Sequence, residues 1–262
     1  MSTPILEVNG LSMFFGGIRA VDQVDLDINA GEIVALIGPN GAGKTTFFNC
    51  LTGIYNPTAG DILLNRPEKK PARLNGLKPN KVTEKGMART FQNIRLFQNM
   101  TVLENVMIGR HCRTRSFIAG AIFRTRHNRQ EEREIIERSY QILEKVGLAD
   151  NVNDLAKNLS YGQQRRLEIG RALATDPFLL LLDEPAAGMN PQETKELDEL
   201  ISRIRADGLS ILLIEHDMKL VMSISDRIFV MDYGKRIAHG TPEEVRANPA
   251  VIKAYLGEDA HA

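Results

Sequence analysis

Apolar residues occur along this chain in two kinds of run. Glu32 to Ile37, Leu179 to Leu182 and Ile211 to Ile214 are short, nearly uninterrupted and rich in Leu, Ile and Val. Such runs predict strands buried on both faces, as in a parallel sheet. Val24-Asp25-Leu26-Asp27-Ile28 alternates instead, which predicts a strand with one wet face; Ile5 to Val8 and Asp61 to Leu64 are further strands. Residues 66–81 have no period and predict a surface excursion. From about residue 93 to 158 the spacing becomes helical. Val102, Leu103, Val106 and Met107 follow Thr101, an N-cap, and a second helix over 129–146 buries Ile135, Ile136, Ile142, Leu143 and Val146 before Gly147 ends it. Asn190-Pro191-Gln192-Glu193 opens another helix with an N-cap, a first-turn proline and a capping-box acid, and Leu197, Leu200, Ile201 and Ile204 supply its buried face up to Gly208. Together these predict an α/β core with an inserted α-helical subdomain.

Composition narrows the function. The 262 residues can bury a sizeable core, and 33 basic residues cancel 33 acidic ones, so no global field draws the chain to nucleic acid. Cys50 and Cys112, the two cysteines, have no metal-ligand spacing and are expected to be reduced thiols in a cytoplasmic protein. Met1-Ser2-Thr3-Pro4 lacks the pattern of a signal peptide, and no apolar run approaches the roughly 20 residues that span a bilayer.

One stretch organises the chain. Gly38-Pro39-Asn40-Gly41-Ala42-Gly43-Lys44-Thr45-Thr46 follows the strand ending at Ile37 and precedes a helix running toward Gly53. It fits the phosphate-loop pattern without a mismatch. Glycines let backbone N–H groups turn in around phosphate oxygens, and the helix N-terminus adds further donors. Lys44 brings a charge to the outer phosphates, and the Thr45 hydroxyl can ligate Mg²⁺. Upstream, the paired aromatics of Met13-Phe14-Phe15-Gly16-Gly17 predict one buried ring and one exposed at a turn. Phe15 is then either an adenine-stacking ring or a core phenylalanine.

Further candidates stand at strand ends. Asp183 and Glu184 close the four-leucine strand, where ligands bind in open α/β sheets. Asp183 can hold Mg²⁺, directly or through water, and Glu184 can orient and polarise an attacking water. His216 follows the next core strand on the same edge and suits a phosphate contact. Leu159-Ser160-Tyr161-Gly162-Gln163 opens a helix with Leu167, Ile169 and Leu173 on its buried side. That is a second anion-binding helix terminus, which is an ordinary capped helix or one that faces the γ-phosphate held by a second copy.

The order of phosphate loop, Phe91-Gln92, Leu-Ser-Tyr-Gly-Gln, four leucines with Asp-Glu-Pro, and a strand-terminal His resembles the ATP-binding cassette ATPases over nearly the whole chain. The resemblance implies an α/β fold, a phosphate-loop NTPase (RecA-like) core with an N-terminal antiparallel β-subdomain and an inserted α-helical subdomain, that binds ATP and Mg²⁺. It implies catalytic Glu184, His216 and Lys44. Nucleotide would contact Phe15, Gly38, Pro39, Asn40, Gly41, Ala42, Gly43, Lys44, Thr45, Thr46, Gln92, Ser160, Gly162 and Gln163, and metal Thr45, Gln92 and Asp183. Residues 1–92 would form the β-subdomain and the first part of the core, 93–158 the helical subdomain, 159–239 the signature helix and the rest of the core, and 240–262 a C-terminal helical tail, all within one ATPase domain. Tyr161 departs from the family's usual Gly in the signature, and Gly188-Met189-Asn190-Pro191 from its small-residue loop.

Longer matches, including Gly240-Thr-Pro-Glu-Glu-Val245 and Ala254-Tyr-Leu-Gly257, resemble the larger ATPase subunit of branched-chain amino-acid importers. What that implies is a second ATPase subunit, identical or a paralogue, transmembrane permease subunits, an amino-acid-binding protein outside the membrane, and a place on its cytoplasmic face. The alternatives are a soluble cassette ATPase, an importer ATPase for another polar substrate, and a nucleotide-binding module without activity. A soluble cassette acting on nucleic acid would predict paired cassettes or a basic balance, and an inactive one the loss of Glu184 or His216; neither pattern occurs. The insert from Cys112 to Arg129 has an apolar centre, Phe117 to Phe123, flanked by arginines. It predicts either a packed hairpin or a segment lying against the permeases or an anionic membrane.

Overall fold

The computed structural model describes residues 3–66, 70–113 and 126–259; the apolar centre of the 112–129 insert lies outside them. Two sheets form the frame. The first is antiparallel, in the order β2-β1-β4-β5, from β1 (Leu6–Phe15), β2 (Ile18–Ile28), β4 (Ala59–Leu64) and β5 (Ala72–Arg73). The second runs β10-β9-β3-β8-β7-β6, with β3 (Ile33–Ile37), β6 (Met87–Arg89), β7 (Leu179–Asp183), β8 (Ser210–Ile214), β9 (Arg227–Asp232) and β10 (Lys235–Gly240). Its pairings are parallel except for the antiparallel edge strand β10. This is the expected α/β frame with an N-terminal antiparallel sheet.

The continuous apolar runs are explained by helices and strands on both faces. Side chains alternate across a strand. Leu179 and Leu181 of β7 therefore enter a core shared with the antiparallel sheet and with Phe47 and Phe48, whereas Leu180 and Leu182 enter a second core under the helices. All four leucines are fully buried, each contributing on the order of 1.5–3 kcal/mol. Ala35, Ile37, Ile228 and Val230 line a third core with Val221, Val245 and Val251.

The helices are α1 (Lys44–Leu51), α2 (Pro79–Lys85), α3 (Val102–Arg110), α4 (Arg126–Lys145), α5 (Tyr161–Leu173), α6 (Pro191–Ala206), α7 (Met218–Ile224), α8 (Pro242–Arg246) and α9 (Pro249–Asp259). The expected caps are formed. Thr101 pairs with Glu104, Ser160 with Gln163 and Asn190 with Glu193 as reciprocal capping boxes. Helices α3, α4 and α5 pack on one another and bury Val102, Val106, Leu143, Val146, Leu167 and Ile169.

Three details differ from the sequence pattern. The stretch 66–81 is not irregular throughout: it contributes β5 and the first turn of α2. In α4, Ile136 is 40% exposed while Ser139 is fully buried, because the buried stripe runs through Ile135, Ser139, Ile142 and Leu143 rather than bending to include Ile136. The expected strands also omit β9, although its four consecutive buried residues carry the same signal as β3.

Candidate functional site

The phosphate loop leaves the centre of the larger sheet and is pressed from two sides. A methyl group at Gly38 would lie 2.0 Å from the Met231 carbonyl oxygen, and one at Gly43 would lie 2.3 Å from that of Ala20. Both glycines also have positive φ, 149° and 99°, so no other residue fits either place. Pro39, Asn40, Gly41 and Ala42 turn between them, closed by Ala42 N donating to Pro39 O at 3.2 Å. Lys44 Nζ folds back over this crown and donates to Gly38 O at 2.5 Å and Pro39 O at 2.9 Å. Gly43 is the N-cap of α1 and brings no side-chain cap, and Thr45 and Thr46 follow on its first turn. Concave backbone, an uncapped helix start and a buried lysine make this a polyanion cradle.

The second cluster lies at the C-terminal ends of β7 and β8, next to β3. Glu184 sits in the left-handed region, φ 47°, and is held to the sheet by its N–H donating to Ile214 O at 2.9 Å. A non-glycine residue there carries strain on the order of 1–3 kcal/mol. Its carboxylate is shared by two predicted residues: Gln92 Nε2 donates to Oε2 at 2.7 Å, and His216 Nε2 lies 3.0 Å from Oε1. Side chains from two distant segments thus converge on one carboxylate. Asp183 is turned the other way, pairing with Arg89 Nη2 at 2.6 Å.

The signature residues stand apart from both clusters. Ser160 and Gln163 bond each other within the capping box, and Gln163 Nε2 donates to Asn151 Oδ1 at 3.4 Å. Gly162 faces the first turn of α6, where a methyl would lie 2.7 Å from Glu193 Oε1. Phe15 ends β1 42% exposed, its ring meeting the edge of Tyr55 with centroids 5.3 Å apart; Phe14 is half-buried, with the Arg19 guanidinium over its ring.

Residues 21–187 match the sequence profile of the ABC transporter family. The chain belongs to that family. Residues 235–261 of this cassette also match a C-terminal profile described as branched-chain amino acid ATP-binding cassette transporter. The cassette is 53% identical to the high-affinity branched-chain amino acid transport ATP-binding protein LivG of Escherichia coli (strain K12), over 98% of this chain and 100% of that protein. It is 52% identical to the corresponding protein BraF of Pseudomonas aeruginosa, over the same shares. Among solved structures it resembles the ADP conformation of an ATP-binding cassette of an ABC transporter, with a TM-score of 0.83, 31% identity and coverage of 98% and 100%. The cassette is an ABC-type ATPase.

Several residues that shape the cassette's site carry no signal in the motifs. Arg165 and Glu168 on α5 form a fully buried ion pair at 2.9 Å. Arg165 donates to Phe91 O at 2.7 Å and Gln92 O at 2.8 Å, while Glu168 accepts from the N–H groups of Phe91 and Arg95. The pair therefore clasps the backbone that carries Gln92. Burial pushes the Glu168 carboxyl up from its ordinary value, against the pull of Arg165. Glu215, one residue before His216, is buried and accepts from Ala186 N at 2.7 Å, His216 N at 3.0 Å and Asp217 N at 3.5 Å. It bolts the loop after Glu184 to the start of the His216 segment. Its carboxyl is also raised, chiefly by burial. Both departures from the usual pattern meet: the Tyr161 ring lies 3.4 Å from where a Gly188 methyl would be, and Tyr161 Oη accepts from Arg165 at 3.3 Å. Mid-helix Arg and Glu three residues apart are the one available clue to the clasp, and on most helices that spacing is a solvated pair.

Proposed function

We propose that this cassette is the ATP-hydrolysing motor of an importer for branched-chain amino acids. The observation that carries the catalytic part is the Glu184 carboxylate held between Gln92 and His216 at the sheet edge that also ends in the phosphate loop. ATP is the substrate. The cradle from Gly38 to Thr46 takes its phosphates, Lys44 exchanges the loop carbonyls for the outer phosphates, and Phe15 stacks on adenine.

Mg²⁺ fits the residues at hand. Among the described residues no three His, Cys, Asp or Glu side chains form a metal cluster. The Thr45 hydroxyl, the Gln92 amide oxygen and one carboxylate, Asp183, suit instead a hard ion that keeps waters and takes most of its charge from phosphates. When bound, it neutralises charge on the transferring phosphoryl group. Glu184 then orients the attacking water and accepts its proton. Gln92 and His216 hold that carboxylate in place, as a base must be within hydrogen-bond reach of the proton it takes.

Ser160, Gly162 and Gln163 act in trans, on the γ-phosphate held by a second ATPase subunit, identical or a paralogue. This reading is supported by the local bonding of the signature, which leaves its helix terminus unspent on its own phosphate loop. Arg89, Phe97, Ile108 and Arg171 line a cleft of about 260 Å³ between β6, α3 and α5. It borders the Gln92 segment and is where permease subunits would press. Among the described residues no helix is long and apolar enough to cross a membrane, so permeases would hold the cassette on the cytoplasmic face, and a binding protein on the other side would deliver the amino acid.

The test is reconstitution. The cassette, its partner ATPase, permeases and binding protein are assembled in vesicles loaded with ATP. Uptake of labelled leucine is expected, competed by isoleucine and valine but not by glutamine or histidine. Uptake driven equally by a polar amino acid would overturn the substrate assignment.

A further inference from the structure

Arg89 pairs with Asp183, the metal carboxylate of the proposed reaction. It ends the edge strand β6, and its guanidinium reaches along the strand ends to Asp183 Oδ2 at 2.6 Å, the two side chains 7% and 5% exposed. Nη1 donates to Asn49 Oδ1 at 2.8 Å and Thr52 Oγ1 at 3.1 Å, both on the phosphate-loop helix or its C-cap. Its Cζ stands 5.5 Å and 5.2 Å from the centroids of the Phe48 and Phe91 rings. Nε is buried without a hydrogen-bond partner. A guanidinium bonded to two elements and flanked by two rings cannot swing away when a second cation arrives.

We infer that Arg89 is a positioning residue that occupies one oxygen of Asp183 and cancels its charge, so that a divalent cation binds here only with a nucleotide's phosphates. With Oδ2 taken by Arg89, a metal or its water would meet Oδ1. Repulsion from the fixed guanidinium is little screened at a site this buried. The carboxylate alone therefore attracts a divalent cation weakly, and the phosphates supply the missing negative charge. Cation and nucleotide then bind together. The inference rests on the reading of Asp183 as the metal carboxylate.

Mn²⁺ is titrated into the whole protein, with and without ADP, and bound ion is counted by electron paramagnetic resonance. Arg89→Gln keeps hydrogen bonding and loses the charge, Arg89→Lys keeps the charge, and Asp183→Asn tests the underlying reading. The half-saturating Mn²⁺ concentration of the ADP complex is expected to fall about tenfold in Arg89→Gln and to stay within twofold in Arg89→Lys. A role in packing alone would not tighten ion binding. Unchanged or weaker Mn²⁺ binding by folded Arg89→Gln, or equal tightening in Arg89→Lys, overturns the inference. If Asp183→Asn leaves Mn²⁺ binding unaltered, the reading of Asp183 fails instead.

Discussion

The sheet edge and the signature helix are both built to meet phosphate, yet they are wired differently. At the edge, functional side chains from distant segments bond one another: Gln92 and His216 share Glu184, and Arg89 pairs with Asp183. On the signature helix, the Ser160 and Gln163 side chains bond locally, to each other and to Asn151. On the proposed reading, the first region forms one half of a reaction centre. The second, on the same reading, meets the phosphate held by another subunit. What joins them is backbone, the Arg165–Glu168 pair gripping the segment before and after Gln92. A shift of α5 relative to the sheet must therefore move Gln92 and strain its bond to Glu184, which gives a partner's contact with the signature a path to the catalytic carboxylate.

The comparison breaks most sharply at Glu184. Glu184→Gln keeps shape and removes the proton acceptor, so ATP binding is expected to persist while turnover falls by roughly 10²–10⁴-fold. The ATP-bound, closed pair of cassettes should accumulate and be visible as a dimer by light scattering. Turnover near the wild-type rate would remove Glu184 from its role.

The next effect separates the two regions directly. Lys44→Ala removes a charge that acts within its own chain, and monomer affinity for ATP should fall at least tenfold. If the signature serves the other subunit, as proposed, Ser160→Arg should leave that affinity unchanged but block ATP-driven dimerisation and turnover. Equal loss of monomer affinity in both variants would place the signature in its own chain's site and end the distinction.

Legibility followed the same divide. The phosphate loop, the strand-end acids and the capped helices could be read because each is a local pattern: a fixed glycine spacing, a run of four leucines, or a cap three residues from its acid. The parallel sheet followed from continuous burial, and the antiparallel one from the family resemblance. Arg89, Arg165, Glu168 and Glu215 could not be read that way, because their partners are set by topology. Arg89 and Asp183 are 94 residues apart in sequence and meet only because β6 pairs with β7. Ser139 escaped for a different reason: a polar residue on the buried stripe of α4 has no periodicity signal, and its hydroxyl is left without a hydrogen-bond partner.

The smallest expected effect lies at Glu215, where stability and position pull in opposite directions. Its carboxyl is raised above the ordinary 4.5 by burial, more than the three N–H donors and despite their opposing pull. Below about pH 4.5 both folded and unfolded chains carry the proton, and the residue is neutral in the balance. As pH rises through the window between that value and the raised folded one, the unfolded chain releases its proton first, and stability falls. Glu215→Gln resembles the protonated form at every pH. It should melt close to wild type near pH 4 and above it near neutral pH, by on the order of a few °C, although hydrogen bonds are rearranged. All other titrating groups are common to the two proteins, so the difference between their melting curves isolates this one. Turnover should move the other way, because the amide cannot accept from Ala186, His216 and Asp217 together, and His216 loses its fixed approach to Glu184. A variant that melts lower at neutral pH, with a gap that does not close toward pH 4, would show that the three hydrogen bonds outweigh burial.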